Sequence, residues 1–466
     1  MCGSRSIVGR LITYGTFYSI EVIEQTVNMV DFNLSPTQQA IRSAARSFAA
    51  THLKTARSIY EAAAAKPDAR WEDRFRSTKP IYEAAAQAGL IKAQIPQALG
   101  GTGGGLIDAA IVVEELYAVE TSASLTILGA GLGLLPLIIA GTPDLHERFL
   151  KPFLDGQKAP LASLVFSEPA GSANYADVGG SGLGTVAVQE GEEFVISGEK
   201  IWATDSGGWD DRGADFSCVC CRVKDSGPDM RSQVAIIIVT RSDIEANEAS
   251  AFTVLSHPQT VGHTAVNGPH IRYKNLRVPK SNMLAPPGKG ADVIDLTFTA
   301  SAALVGAMGI GVMRQVFEHA LAWAKTEKRG GNEVMLKKQS VSDLLIKIKI
   351  RCEAARALTW KAACAFDMKP ESAAAAELCY AAKILSSESA VESVMDGISL
   401  IGVSAYSRAH PLGDLLQDAM VLPIFDGGNV GVRRRQIESI FAMPGYDPWE
   451  ATFGKASPPS ALNGTH

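Results

Sequence analysis

Apolar residues recur at helical intervals of three and four from Ser35 to about Asp155. Ser35-Pro36 supplies a cap followed by a first-turn proline. Alanine dominates residues 40–50, 62–65 and 84–88, and residues 107–119 carry an apolar stripe that includes Glu114-Glu115-Leu116. The helices break at residues 96–105, which hold Gly100, Gly101, Gly103, Gly104 and Gly105. With no Lys-Ser/Thr after it, this run is not a phosphate loop and reads as a flexible turn.

From about Leu161 to Leu284 the period becomes that of strands, at residues 186–188, 193–196, 216–223, 234–240 and 271–278. The region reads as a compact antiparallel barrel or sandwich. Helical spacing returns from about Ala291 to Pro444. Residues 298–325, 334–367 and 371–401 are long enough for members of a four-helix bundle, residues 412–420 form a shorter helix, and another follows Asp426. The pattern predicts an α+β chain with a helical domain over 29–158, a β domain over 159–285 and a helical bundle over 286–446. An extension over 1–28 and a loose tail over 447–466 flank them, with Trp449 as a group able to dock the tail.

Composition narrows the classes. A chain of 466 residues, 46% hydrophobic and 20% charged, is globular and can hold about two or three structural units. The net charge of -5, with no basic run longer than Arg433-Arg434-Arg435, argues against nucleic acid as a partner. Of the seven cysteines, Cys218, Cys220 and Cys221 lie in an apolar run, and Cys352, Cys364 and Cys379 lie in helical patterns. They read as small buried hydrophobes in a reducing, intracellular and cytoplasmic setting. The eight histidines show no ligand spacing, so no metal site is predicted. Residues 122–141 are apolar over about the length of a membrane span. Gly129, Gly131, Gly133 and Pro136 break the run into shorter buried pieces, and no Lys or Arg flanks it closely, so no membrane partner is predicted. Residues 1–28 carry Arg5, Arg10, Glu21 and Glu24 around an apolar stretch. Both a targeting peptide and an upstream start codon fit them.

The residues 425–433, Phe-Asp-Gly-Gly-Asn-Val-Gly-Val-Arg, carry the candidate chemistry. They put one carboxylate, Asp426, at the mouth of a glycine-rich turn ahead of a helix bearing Arg433, Arg434 and Arg435. A guanidinium can hold such a carboxylate ionised as a base, and Gly427 and Gly428 would let a flat ligand approach the backbone. From this stretch alone, an Asp favoured at a helix N-terminus by capping and the dipole is the preferred reading.

Several motifs in order resemble the acyl-CoA dehydrogenase superfamily of flavoproteins over about residues 31–446. They are Ile95-Pro96 with Leu99-Gly100-Gly101 and Glu114-Glu115-Leu116, then Ser167-Glu168-Pro169 with Gly171-Ser172, then residues 197–204, then Val278-Pro279 with Asn282 and Leu284. Within it, residues 89–94, 206–210, 301–308 and 425–429 look most like the fungal nitroalkane oxidase family. The resemblance implies an acyl-CoA dehydrogenase-like fold and FAD bound between the β domain and the bundle. Ser167 and Thr204 would give hydroxyls to the flavin and Trp202 a flat wall, beside Leu164, Val165, Phe166 and Ala203 and the stretch Ser172-Ala173-Asn174. It implies that Arg329, Lys338 and Gln339, with Leu400, Ile401, Gly402 and Val403, contact cofactor across a subunit boundary in a homotetramer. The 400–403 stretch has one glycine where the family has a close pair.

Asp426 matches the family's catalytic-base position, Arg433 a guanidinium one face along, and Ser301 a hydroxyl beside the base. The acyl-CoA dehydrogenases carry Glu at the base and an Asp and an Arg, three apart, near the thioester; here those two positions are Thr299 and Ala302. The implied reaction is removal of the α-proton of a neutral nitroalkane by Asp426, oxidation by the flavin to an aldehyde or ketone with loss of nitrite, and reoxidation by dioxygen to hydrogen peroxide. An acyl-CoA dehydrogenase or oxidase is the competing expectation.

Overall fold

The computed structural model describes residues 32–156 and 158–454. The expectations for residues 1–28 and for the last twelve residues of the tail lie outside the described residues.

A first helical layer comprises α1 (Pro36–Phe48), α2 (Ala56–Ala64), α3 (Asp73–Ser77), α4 (Lys79–Gln87), α5 (Leu106–Tyr117), α6 (Ser122–Ala140) and α7 (Pro143–Leu154). The predicted cap on α1 is a full capping box: the Ser35 hydroxyl accepts from the Gln38 N–H, and the Gln38 side chain accepts from the Ser35 N–H. The turn over 96–105 is close-packed. A Cβ at Gly101 would lie 1.9 Å from the Ile95 carbonyl oxygen, and one at Gly103 would lie 2.7 Å from that of Ala93.

The apolar run over 122–141 is one helix, not shorter pieces. Its glycines are contact positions. A Cβ at Gly133 would meet the Ala162–Ser163 backbone at 2.4 Å, and one at Gly129 would meet Thr204 and Asp205 at 2.9 Å. Pro136 lies within the helix. Among the described residues, two helices, 122–140 and 290–326, are long and apolar enough to cross a membrane; 56% and 83% of their apolar windows are buried against the rest of the protein.

The sheet comprises β1 (Ala162–Val165), β2 (Val186–Glu190), β3 (Glu193–Lys200), β4 (Phe216–Val223), β5 (Val234–Thr240), β6 (Phe252–Ser256), β7 (His270–Pro279) and β8 (Met283–Ala285), with the short helix α8 (Arg241–Glu245) after β5. The spatial order is β6-β7-β3-β2-β4-β5-β8. Most pairings are antiparallel, but β1 and β2 both run parallel to β4, so the sheet is mixed. The unbroken apolar runs of β4 and β5 follow from burial on both faces. Phe216, Cys218, Cys220, Val234, Ile236 and Ile238 face the core shared with α6 and α7, whereas Val219, Cys221, Ile237 and Val239 face the sheet's own interior.

The bundle consists of α9 (Gly290–Thr326), α10 (Gln339–Met368), α11 (Ala373–Ile401) and α12 (Pro411–Met420), followed by α13 (Arg434–Phe441) and α14 (Glu450–Phe453). The Glu114-Glu115 pair of α5 ties these layers together. Arg314 reaches both carboxylates at 3.1 and 3.0 Å, Arg356 reaches Glu114 at 3.0 Å, and Arg42 reaches Glu115 at 2.7 Å. The chain beyond the bundle is docked by Tyr446, whose hydroxyl donates to Glu377, and by a Lys361–Thr452 contact; Trp449 stays 63% exposed instead of docking.

Candidate active site

Asp426 sits on the irregular turn between α12 and α13, with a left-handed backbone (φ +52°) that Asp tolerates better than most residues. Its side chain is buried, at 7% exposed. Oδ1 accepts a 2.7 Å hydrogen bond from the Ser301 hydroxyl of α9. Arg433, 1% exposed, lies behind it. One terminal nitrogen donates to the Asp426 carbonyl (2.6 Å) and the Phe298 carbonyl (3.0 Å) and stands 3.4 Å from Asp426 Oδ2. The guanidinium also stacks on the Tyr380 ring, 4.8 Å from its centroid, and donates to Gln436. Arg433 therefore fixes the turn through its backbone and keeps a positive charge beside the carboxylate.

This geometry changes the reading of the glycines. A Cβ on Gly427 would stand 2.9 Å from the Arg433 guanidinium, and one on Gly428 would stand 3.2 Å from the Ile424 carbonyl. The open side of Gly427 admits Arg433, not a flat ligand.

Phe166 packs edge-on against Phe298, centroids 5.3 Å apart, and so joins the sheet side of the cleft to the turn that Arg433 holds. Ser167 and Thr204 are half-buried. The Ser167 carbonyl accepts from the Ile201 N–H, and the Thr204 carbonyl accepts from the Ser163 hydroxyl at 2.6 Å. Trp202 is 57% exposed on a left-handed backbone (φ +67°). Such a conformation costs about 1–3 kcal/mol, and an exposed indole on it suits a wall for a flat ligand. These groups fit an isoalloxazine ring. Ala173 and Asn174 meet α13, since Arg435 donates to the Ala173 carbonyl (2.8 Å) and to the Asn174 side chain (2.7 Å). The Ser172 hydroxyl accepts from the Glu168 N–H. The side chains of Leu164, Val165 and Ala203 are buried in the cores, so their backbones alone can face a cofactor.

The pair that holds these two stretches together was quoted in the motifs without a role. Lys200, fully buried, donates to Glu168 and to the Phe166 carbonyl, both at 2.9 Å. Glu168 also accepts from the Gly184 and Thr185 N–H groups. Burial pushes the Glu168 carboxyl up, but Lys200 and the two N–H groups outweigh it and hold it below the usual carboxylate range.

Arg329 lies elsewhere. It donates to the Ile401 carbonyl (2.6 Å) and to the Ser404 hydroxyl (3.0 Å), so the two stretches expected to contact phosphate meet within one chain. Gly402 and Val403 are exposed there, as are Lys338 and Gln339, whereas Leu400 and Ile401 are core side chains. The stretch of α9 between Ser301 and its end at Thr326 spans roughly 38 Å at the α-helical rise. Ser301 and Arg329 therefore lie toward opposite ends of that stretch.

Thr299 shares a 2.7 Å hydrogen bond with the Tyr380 hydroxyl, and Ala302 of α9 is fully buried in a cluster with Ala362, Cys379, Tyr380 and Ala382. Among the described residues, Glu72, Asp211 and His257 cluster closely enough to hold a cation, but Arg70 and Arg76 already pair with the two carboxylates. Removing the Ser301 hydroxyl leaves Asp426 Oδ1 short of one charge-assisted bond. Ser301→Ala should lower kcat/KM about tenfold or more with FAD content unchanged, read by steady-state rates and the flavin spectrum.

Residues 35–157 match the acyl-CoA dehydrogenase N-terminal domain, and residues 288–440 match the acyl-CoA dehydrogenase C-terminal domain. The chain is 50% identical over 430 residues to a nitroalkane oxidase of Podospora anserina, covering 91% of this chain and 99% of that one. It is 44% identical over 437 residues to a nitroalkane oxidase of Fusarium oxysporum, covering 92% and 98%. The solved P. anserina enzyme superposes with a TM-score of 0.88 over 91% of this chain and all of that one. A nitroalkane oxidase active-site mutant crystallised with 1-nitrooctane superposes with the same score and coverage at 43% identity.

Proposed function

Because the chain belongs to the nitroalkane oxidase family of the acyl-CoA dehydrogenase superfamily, we propose that it oxidises neutral nitroalkanes to aldehydes or ketones, with release of nitrite and hydrogen peroxide, by a reaction that Asp426 begins. The observation that carries this is the buried carboxylate of Asp426, bonded by Ser301 on one oxygen and flanked by Arg433 on the other. A carbon acid such as a nitroalkane loses its α-proton to a carboxylate in hydrogen-bonding reach. Ser301 orients that carboxylate. Arg433 fixes the turn and stands 3.4 Å from the other carboxylate oxygen.

Bound FAD supplies the electron sink and passes the electron pair to dioxygen. Trp202, Ser167 and Thr204 would hold its flat ring, and Arg329 with the 401–404 backbone would hold phosphate oxygens. The length of α9 between Ser301 and its end near Arg329 supports cofactor sites completed by a second copy, as in the homotetramer that the family resemblance implies. A buried Ala302, where the resemblance would lead an acyl-CoA site to carry an Arg, speaks against the acyl-CoA alternative. Purified protein should release nitrite from nitroethane and keep its flavin oxidised when acyl-CoA is added. Flavin bleaching by acyl-CoA without nitrite release would select the alternative. Arg329→Ala should lose FAD on dilution and gel filtration; full retention would remove its phosphate role.

A further inference from the structure

Lys383 lies in α11 and is fully buried. Its ammonium donates to the Leu422 carbonyl at 3.3 Å and to Asn429 Oδ1 at 2.9 Å. These two residues bracket the turn that carries Asp426, one on each side. Asn429, 1% exposed, in turn donates through Nδ2 to the Ser387 hydroxyl (3.0 Å) and to Glu388 (3.1 Å), and Arg434 holds Glu388 at 2.8 Å. Between the brackets the backbone is irregular, and both Asp426 and Gly427 take left-handed φ values of +52° and +75°.

An ammonium without water costs several kcal/mol, and an apolar side chain at a bundle core position is often the more stable choice. A lysine there needs a reason other than stability. The clamp supplies one. A carboxylate on an irregular turn keeps its aim only if both flanks are fixed.

We propose that Lys383 is a positioning residue for the proton transfer, clamping both ends of the turn that carries Asp426. The charged groups facing it are Asp426 and Arg433 from the turn and the segment after it, and Glu388 from its own helix; α9 adds the Ser301 hydroxyl through Asp426. Burial lowers the ammonium to about 8, Asp426 and Glu388 oppose that, and Arg433 adds to it. Lys383 is therefore mainly charged at neutral pH.

The inference rests on Asp426 as the base. That reading fails separately if Asp426→Asn keeps its rate. The test compares Lys383→Met and Lys383→Arg with the unaltered holoenzyme, following nitrite release from nitroethane supplied neutral or already ionised to its anion. Lys383→Met should retain FAD yet lose about tenfold in kcat/KM on the neutral form and stay within about twofold of normal on the anion, because only the neutral form needs the aimed base. Lys383→Arg should recover most of the loss. A Lys383→Met enzyme within about twofold of normal on neutral nitroethane would overturn the proposal. So would a Met variant equally impaired on the anion, or an Arg variant as impaired as the Met variant. If Lys383→Met does not fold, Lys383→Gln, whose shorter side chain does not reach both flanks, carries the same test.

Discussion

Asp426→Asn should lose about a thousandfold in kcat/KM on neutral nitroethane and keep its full complement of FAD. The magnitude is that of a positioned general base. The amide fits the same space and can still bond Ser301, so the turn should stand. What changes is basicity alone. Nitrite release and the flavin absorbance, measured on one preparation, separate the two effects. A variant that turns over neutral nitroethane at the normal rate would remove Asp426 from the mechanism. A variant without flavin would mean that the turn, and not the proton transfer, had been damaged.

The second large effect concerns stability. Glu168→Gln leaves the Lys200 ammonium fully buried without its counter-charge. Breaking a buried pair on one side costs about 3–5 kcal/mol, more than the roughly 1.5–3 kcal/mol from burying a single large apolar side chain. The midpoint of denaturant unfolding should fall accordingly. The pH dependence has a definite sign. Glu168 is held below the usual carboxylate range, so its contribution is present above that range and fades as pH falls through the lower, folded value. The gap between the two proteins should therefore be full at pH 7 and shrink in acid. A gap that is absent at neutral pH would show that Lys200 finds other partners.

Much of this was legible in the chain. The α1 cap, the apolar β4 and β5 runs and the carboxylate with its arginine are local patterns, and each is set by a few neighbouring residues. The superfamily motifs placed Ser301 beside Asp426 although 125 positions separate them. Other features depend on what lies across a contact. Gly129 and Gly133 looked like helix breakers, but they allow α6 to approach β1 and Thr204. Gly427 looked like room for a ligand, but Arg433 takes that room. The parallel pairing of β1 with β4 joins strands far apart in sequence, which no local period reports. Leu164, Val165, Ala203, Leu400 and Ile401 lie in stretches expected to face a cofactor yet turn their side chains into the cores. Lys383 did leave a trace. A lysine between Ala382 and Ile384 is the single basic residue of a helix whose other charged residues, Glu377, Glu388, Glu392 and Asp396, are acidic, and it falls at a core position.

The most direct measurement is the rate of anaerobic flavin reduction in Asp426→Asn with nitroethane supplied either neutral or already ionised to its anion. If Asp426 serves to take the proton from carbon, the neutral form should reduce the flavin about a thousandfold more slowly than in the unaltered protein, while the anion, which has no such proton to lose, should react at a comparable rate in both. Equal impairment with the two forms would contradict that role and place Asp426 in substrate binding or in support of the cleft.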